Sequence, residues 1–300
     1  MMSALHRLTS VGLPLVCAAA LAAGCDGGAR VPDARAQQSV YSSELSVRFE
    51  TSAVAGTDKA ATTVSVLGFS AVAAGTDDAD VLGMVDPLAA DAPDQGCVLR
   101  DADVATRVLG GRGGAIDLQE LAGVGVALPA PETMLRPSPR VYPDVAGIVS
   151  GVVAEAARSL TSIPERVALH VSGAELPIAD LAVPTLPTLL SINGAAPTAG
   201  ARVDAPEGLT VTLGDPAGAL VELRPFGATV AISCAIPTNA STEASLTVPR
   251  SLLVHLSPGA AALPVSIEVA RRLRTRTALG TPETRVSVEV RSTMAVELHP

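Results

Sequence analysis

Tryptophan is absent from these 300 residues, and only two tyrosines and three phenylalanines are present. A folded core must therefore be assembled from Val, Leu, Ile and Ala. A sugar-binding platform of stacked rings would have only Tyr41, Tyr142, Phe49, Phe69 and Phe226 to draw on. Lys59 is the only lysine, set against 20 arginines, and the formal net charge is -9. Recognition of a phosphate backbone needs a clustered positive surface, so this charge balance argues against nucleic acid as a partner. The uncharged N-terminal run, Leu8 to Gly24, contains Gly12 and Pro14 and stops at Cys25-Asp26-Gly27-Gly28. A membrane-spanning helix needs roughly 20 consecutive apolar residues, and this run reads instead as a cleaved export signal at residues 1–24. His170, His255 and His299 stand far apart and outside any HExxH or paired-cysteine setting. No zinc site is expected from them, and no cofactor is implied.

What the N-terminus does contain is Leu21-Ala22-Ala23-Gly24-Cys25. Ala22, Ala23 and Gly24 offer no bulk to a peptidase that must hold an extended backbone closely. The segment resembles the lipobox of bacterial lipoproteins, with its leucine one position earlier than that family usually places it. The resemblance implies cleavage before Cys25, a diacylglycerol on its thiol, and a membrane partner reached through that lipid. Two or three acyl chains hold a protein on a bilayer almost irreversibly. The neighbouring Asp26 implies inner-membrane retention under the enteric rule, and the choice between inner and outer membrane stays open.

Removing residues 1–24 leaves 276, enough for two ordinary domains or one large sandwich. Residues 25–40, rich in Gly, Ala, Asp and Gln, read as a lipidated tether. With Cys17 in the signal and Cys25 acylated, Cys97 and Cys234 are the only thiols left to pair. Export permits a disulfide. Equally, Cys234 alternates with Val230 and Ile232, as a small buried apolar residue would.

The body is expected to be mainly β, with two antiparallel sandwich units of immunoglobulin-like type, at 41–200 and 201–300. Leu45, Val47 and Phe49 alternate with Ser46, Arg48 and Glu50, the period of two of a half-buried strand. Thr62–Phe69, Cys97–Arg100, Ala115–Gln119, Val167–Ser172, Leu209–Leu213, Leu220–Arg224, Thr229–Ala235, Val265–Ala270 and Arg285–Leu298 read as strands too. Turn residues such as Asn193-Gly194 and Gly214-Asp215-Pro216 separate several of them. Over 145–160 the mixed spacing of Val, Ile, Ala and Leu suggests a short helix stopped by Pro164. Pro177, Pro184 and Pro187 suit an edge strand leading to the boundary near Gly200.

The Gly-Leu-Thr-Val start at Gly208, the Val-Ala-Ile-Ser-Cys strand ending at Cys234, the Leu-Thr-Val-Pro motif ending at Pro249 and the closing Val-Ser-Val-Glu-Val run resemble uncharacterised lipoproteins of myxobacteria. The Gly113–Leu118 element recurs in that group. The resemblance implies a two-part β-sandwich lipoprotein and supplies no catalytic residues.

Other clusters are weaker pointers. Asp77, Asp78 and Asp80 lack the central Gly and terminal Glu of a calcium loop. Gly110–Gly114 precedes a β-type stretch rather than the helix a phosphate cradle needs. Ser150 is out of register for a nucleophile elbow, and nothing in the pattern joins Asp117, Glu120 and Asp144 into an acid pair. The run Arg271-Arg272-Leu273-Arg274-Thr275-Arg276 reads as a solvated strand end or as a contact for anionic headgroups. The expectation is a non-enzymatic, lipid-anchored extracytoplasmic protein with a structural or interaction role and no identified protein or envelope partner. The alternative is a surface lipoprotein that binds carbohydrate or a calcium-dependent ligand.

Overall fold

The computed structural model of the chain describes residues 39–53, 60–74, 93, 96–101, 116–129, 132–145, 149–174, 176–228, 230–240, 242–256, 261–279 and 283–300. The first half of the strands are β1 (Ser39–Ala53), β2 (Ala60–Ala74), β3 (Gly96–Asp101), β4 (Ile116–Glu120), β5 (Val124–Pro129), β6 (Glu132–Leu135), β7 (Ser138–Val145), β8 (Val149–Leu160) and β9 (Arg166–Val171). They are followed by β10 (Ala179–Ala182), β11 (Thr188–Ile192), β12 (Arg202–Asp204), β13 (Gly208–Gly214), β14 (Ala219–Pro225), β15 (Val230–Ala235) and β16 (Glu243–Pro249). Helix α1 (Arg250–Leu256) precedes the two long final strands, β17 (Leu263–Thr277) and β18 (Thr284–His299).

The strands form three sheets. An eleven-stranded sheet runs β3-β15-β14-β17-β18-β1-β2-β4-β8-β7, with β12 joined to β18. A four-stranded sheet runs β10-β9-β5-β6, and a three-stranded sheet runs β11-β13-β16. The protein is thus mainly β and sandwich-like, as the alternating pattern implies. Most neighbours are antiparallel, but β1 and β12 each run parallel to β18, and β4 runs parallel to β8.

Period-two alternation decides which side chains meet. Leu45, Val47 and Phe49 of β1, Val64 and Val66 of β2, and Val286, Val288 and Val290 of β18 point to one face of the large sheet. There they pack against Val126 and Leu128 of β5 and Val167 and Leu169 of β9. On the same long β18, Val296 and Leu298 belong to a second cluster with Val221, Leu223, Ile232, Val265 and Ile267. Leu209, Val211 and Leu213 of β13 close that cluster from the other side. Each fully buried Val or Leu contributes about 1.5–3 kcal/mol, so these aliphatic faces replace the missing aromatics. Phe49 and Phe69 are at most 1% exposed, leaving them no surface for a ligand.

Strands from both sides of residue 200 are hydrogen-bonded within one sheet, β1 to β18 and β3 to β15. Ser39–Pro300 form one compact unit. Residues beyond Gly200 contribute to both apolar clusters, Val286, Val288 and Val290 to the first and Val265, Ile267 and Val296 to the second.

The helix expected over 145–160 is not formed. Residues 149–160 are β8, with β7 on one side and β2 and β4 on the other. Ala-rich composition favours a helix only weakly, and pairing on both sides outweighs it. Gly151 makes this pairing possible. Its φ is +136°, and a Cβ there would sit 2.0 Å from the Leu118 carbonyl oxygen. Helix α1 buries Leu253 and Leu256. The Asn193-Gly194 turn is made as the sequence suggests: both residues have positive φ, 47° and 77°. Asn193 also accepts from the Thr210 backbone N–H and donates to the Asp204 carbonyl oxygen, each at 2.7 Å.

Candidate functional site

The face of the large sheet opposite the apolar clusters is built from the alternate residues of the same strands. Between Val286, Val288 and Val290 stand Ser287 and Glu289, followed by Arg291. From β17 come Ser266, Glu268 and Arg272, and from β1 come Glu44, Ser46 and Arg48. Glu289 is 1% exposed and lies at the centre of three guanidinium groups. Arg48 Nε is 3.2 Å from Oε1, Arg272 Nε donates to Oε2 at 2.6 Å, and Arg291 Nη2 donates to Oε1 at 2.6 Å. Arg291 also donates through Nη1 to Glu268, whose other oxygen accepts from Ser266 Oγ at 3.3 Å. On β14, Arg224 donates to Glu222 at 3.1 Å. At the other side, Arg285 pairs with Glu44 at 3.1 Å.

Burial alone would raise the Glu289 carboxyl, but Arg291, Arg272 and Arg48 outweigh it and hold the group down to about 2. Burial also opposes the charge of Arg291, yet Glu289 and Glu268 raise its pKa. Glu222 moves the other way: its burial raises the carboxyl, and Arg224 offsets this only in part. Chemically, Glu289 is a clamped anion. Both of its oxygens are taken, and it has no proton to give near neutral pH.

The other sequence candidates fall in separate places. Cys97 and Cys234 face each other across β3 and β15 and are joined as a disulfide. Cys25, the aspartates 77, 78 and 80, and the glycines 110, 111, 113 and 114 lie outside the described residues. Asp117 and Glu120 are both exposed on β4, and their odd spacing sends them to opposite faces. Asp144 is on β7, two strands away in the sheet order. His170 is on β9, His255 is on α1, and His299 bonds Glu297 at 2.8 Å. Among the described residues, no three His, Cys, Asp or Glu side chains are grouped so as to hold a metal. A shallow cavity of about 130 Å³ lies beside Asn193, Thr198, Arg202 and Asp204. Ligand pockets for drug-sized molecules start at about 300 Å³, so this one is too small for such a ligand.

No protein-family model, curated protein or solved structure matches the chain.

The basic run 271–276 is divided by the strand alternation instead of forming one solvated patch. Arg271 turns to one face, where it donates to Asp215 Oδ2 at 2.9 Å and to the Thr185 carbonyl oxygen at 3.1 Å. Hydrogen bonds from Arg271 and then Thr185 hold the Asp215 carboxyl below its usual range. Arg272 turns to the ionic face, with its side chain 7% exposed. Arg274 and Arg276 follow on that same face at the strand end and are exposed. Sequence reasoning missed the Glu289 cluster, although a signal was present: charges occupy the polar phase of β1, β17 and β18 alike.

Proposed function

We propose that the protein is a lipid-anchored extracytoplasmic module, held through Cys25, whose β-body serves a structural or interaction role in the cell envelope and carries out no catalysis. The observation that carries this reading is the Cys97–Cys234 disulfide. Disulfides persist in oxidising compartments and are rare in the cytosol, which agrees with the export signal and the Leu21–Cys25 motif. The ionic face supports a non-enzymatic role, because its central carboxylate is charged and fully engaged. The exposed carboxylates Asp117 and Glu120 diverge, so they form no acid–base pair.

Mass analysis of the mature N-terminus, paired with membrane fractionation, tests the proposal. The wild-type chain should begin at Cys25 with acyl mass attached and sediment with membranes. Cys25→Ser should lose the acyl mass and leave the membrane fraction. An unmodified wild-type N-terminus, or unchanged fractionation of the variant, would refute it.

A further inference from the structure

We infer that the end of the large sheet carrying the exposed Arg274 and Arg276 rests against the anionic headgroups of the membrane that holds the protein. This inference builds on the anchoring through Cys25 proposed above and adds the orientation of the body and the surface that touches the bilayer.

The strand directions place these arginines where the chain leaves the body toward Cys25. β1 begins at Ser39 and runs parallel to β18, with Glu44 opposite Arg285. β17 is antiparallel to β18, with Arg276 opposite Arg285 and Thr277 opposite Thr284. The end of β17, the start of β18 and the start of β1 therefore share one end of the sheet. Residues 25–39 can span at most about 50 Å even when fully extended. From the level of Ser39 to that of Leu298, at the far end of β18, the strand contour is about 60 Å. The near end can meet a bilayer with no extension of residues 25–39, whereas the far end lies beyond their reach along the body.

Charge favours the same end. Deeper on this face, Arg48, Arg272 and Arg291 surround the buried Glu289. At the end, the Arg276 side chain is 65% exposed, and its pairing with Glu283 is a loose 3.9 Å. Arg274 is also exposed. Arg276 and Arg285 are directly opposite each other in an antiparallel ladder, an arrangement in which like charges repel. Burial, and then the nearby Arg285, lowers the pKa of Arg274, while Glu44 and Glu289 act to raise it; Arg285 itself pairs with Glu44 at 3.1 Å, so the exposed guanidiniums at this end are those of Arg274 and Arg276. A layer of phosphate headgroups offers both exposed guanidiniums a counter-charge.

The test uses the full acylated chain in vesicles of phosphatidylglycerol and phosphatidylethanolamine, with lipids that carry a quencher near the headgroup. One fluorophore is placed through Ala278→Cys, after β17, and in a second sample through Phe226→Cys, in the exposed turn at the opposite end. Quenching at 278 should exceed that at 226 severalfold. Adding Arg274→Glu and Arg276→Glu, or replacing the anionic lipid with phosphatidylcholine, should lower quenching at 278 at least twofold. Equal or reversed quenching in a chain whose Cys25 acylation is verified by mass overturns the orientation alone. A signal at 278 that neither the charge reversals nor the lipid change alters overturns the headgroup contact. A chain without acyl mass overturns both this inference and the anchoring proposal.

Discussion

Glu289 and Arg291 stand on the same face of β18, joined at 2.6 Å, with side chains 1% and 5% exposed. Each is the other's main compensation for burial. A buried ion pair adds little net stability relative to an apolar pair of similar size, but removing one partner leaves an uncompensated charge.

Glu289→Gln should therefore destabilise the fold by about 3–5 kcal/mol, because three guanidiniums lose their shared anion. Urea denaturation should show a lower midpoint with an unchanged slope. Glu297→Gln, at an exposed site on the same strand, should shift the midpoint by less than about 0.5 kcal/mol.

Acid should reveal the same cluster. The Glu289 carboxyl is depressed from its ordinary value of 4.5 to about 2. Its contribution is complete above 4.5 and is lost as pH falls toward 2. Glu222 is shifted upward, so its contribution has the opposite sign: it is complete below 4.5 and is lost as pH rises through the raised pKa. Stability measured from pH 6 to pH 2 should fall more steeply in wild type than in Glu289→Gln. Glu222→Gln should leave the acid loss in place and remove the opposing contribution.

The disulfide closes a loop with a sequence separation of 137. Chain-entropy reasoning for a loop of that length gives about 5 kcal/mol as an upper value. Reduction should add about two daltons per chain and lower the denaturation midpoint, and the Cys97→Ala/Cys234→Ala double variant should match the reduced protein. An intact chain whose mass does not change on reduction would contradict the bond.

Gly151→Ala should be among the most damaging single-methyl changes in the protein. The new Cβ would overlap the Leu118 carbonyl and occupy a backbone conformation that L side chains rarely adopt. A loss of about 3 kcal/mol or more is expected, with the protection of β4 and β8 amides from hydrogen exchange falling before that of β17 and β18.

The sequence shows which strands form far better than it shows how they join. Leu45–Phe49 and Arg285–Val290 announce themselves because one face meets apolar neighbours and the other does not. β8 misleads because its burial does not alternate: Val153 and Ala154 are both buried, and Ala157, Arg158 and Ser159 are all exposed. The parallel pairing of β1 with β18 brings together residues 241 apart, such as Arg48 and Glu289, and no local pattern encodes that separation. The ionic face stayed hidden for a related reason: each charge, taken singly, looks like an ordinary solvent-facing residue, and only sheet assembly buries it. The pairing of Cys97 with Cys234 likewise depended on the registry of β15 against β3.

β18 supplies valines to one apolar cluster, Val296 and Leu298 to the other, and Glu289 and Arg291 to the ionic face. Until residues 284–299 have been synthesised, neither cluster is complete and β1 lacks its parallel neighbour. A chain that lacks these residues can therefore complete neither cluster. The same strand makes the two sandwich regions fold and fail together, so heating should give one cooperative transition and not two.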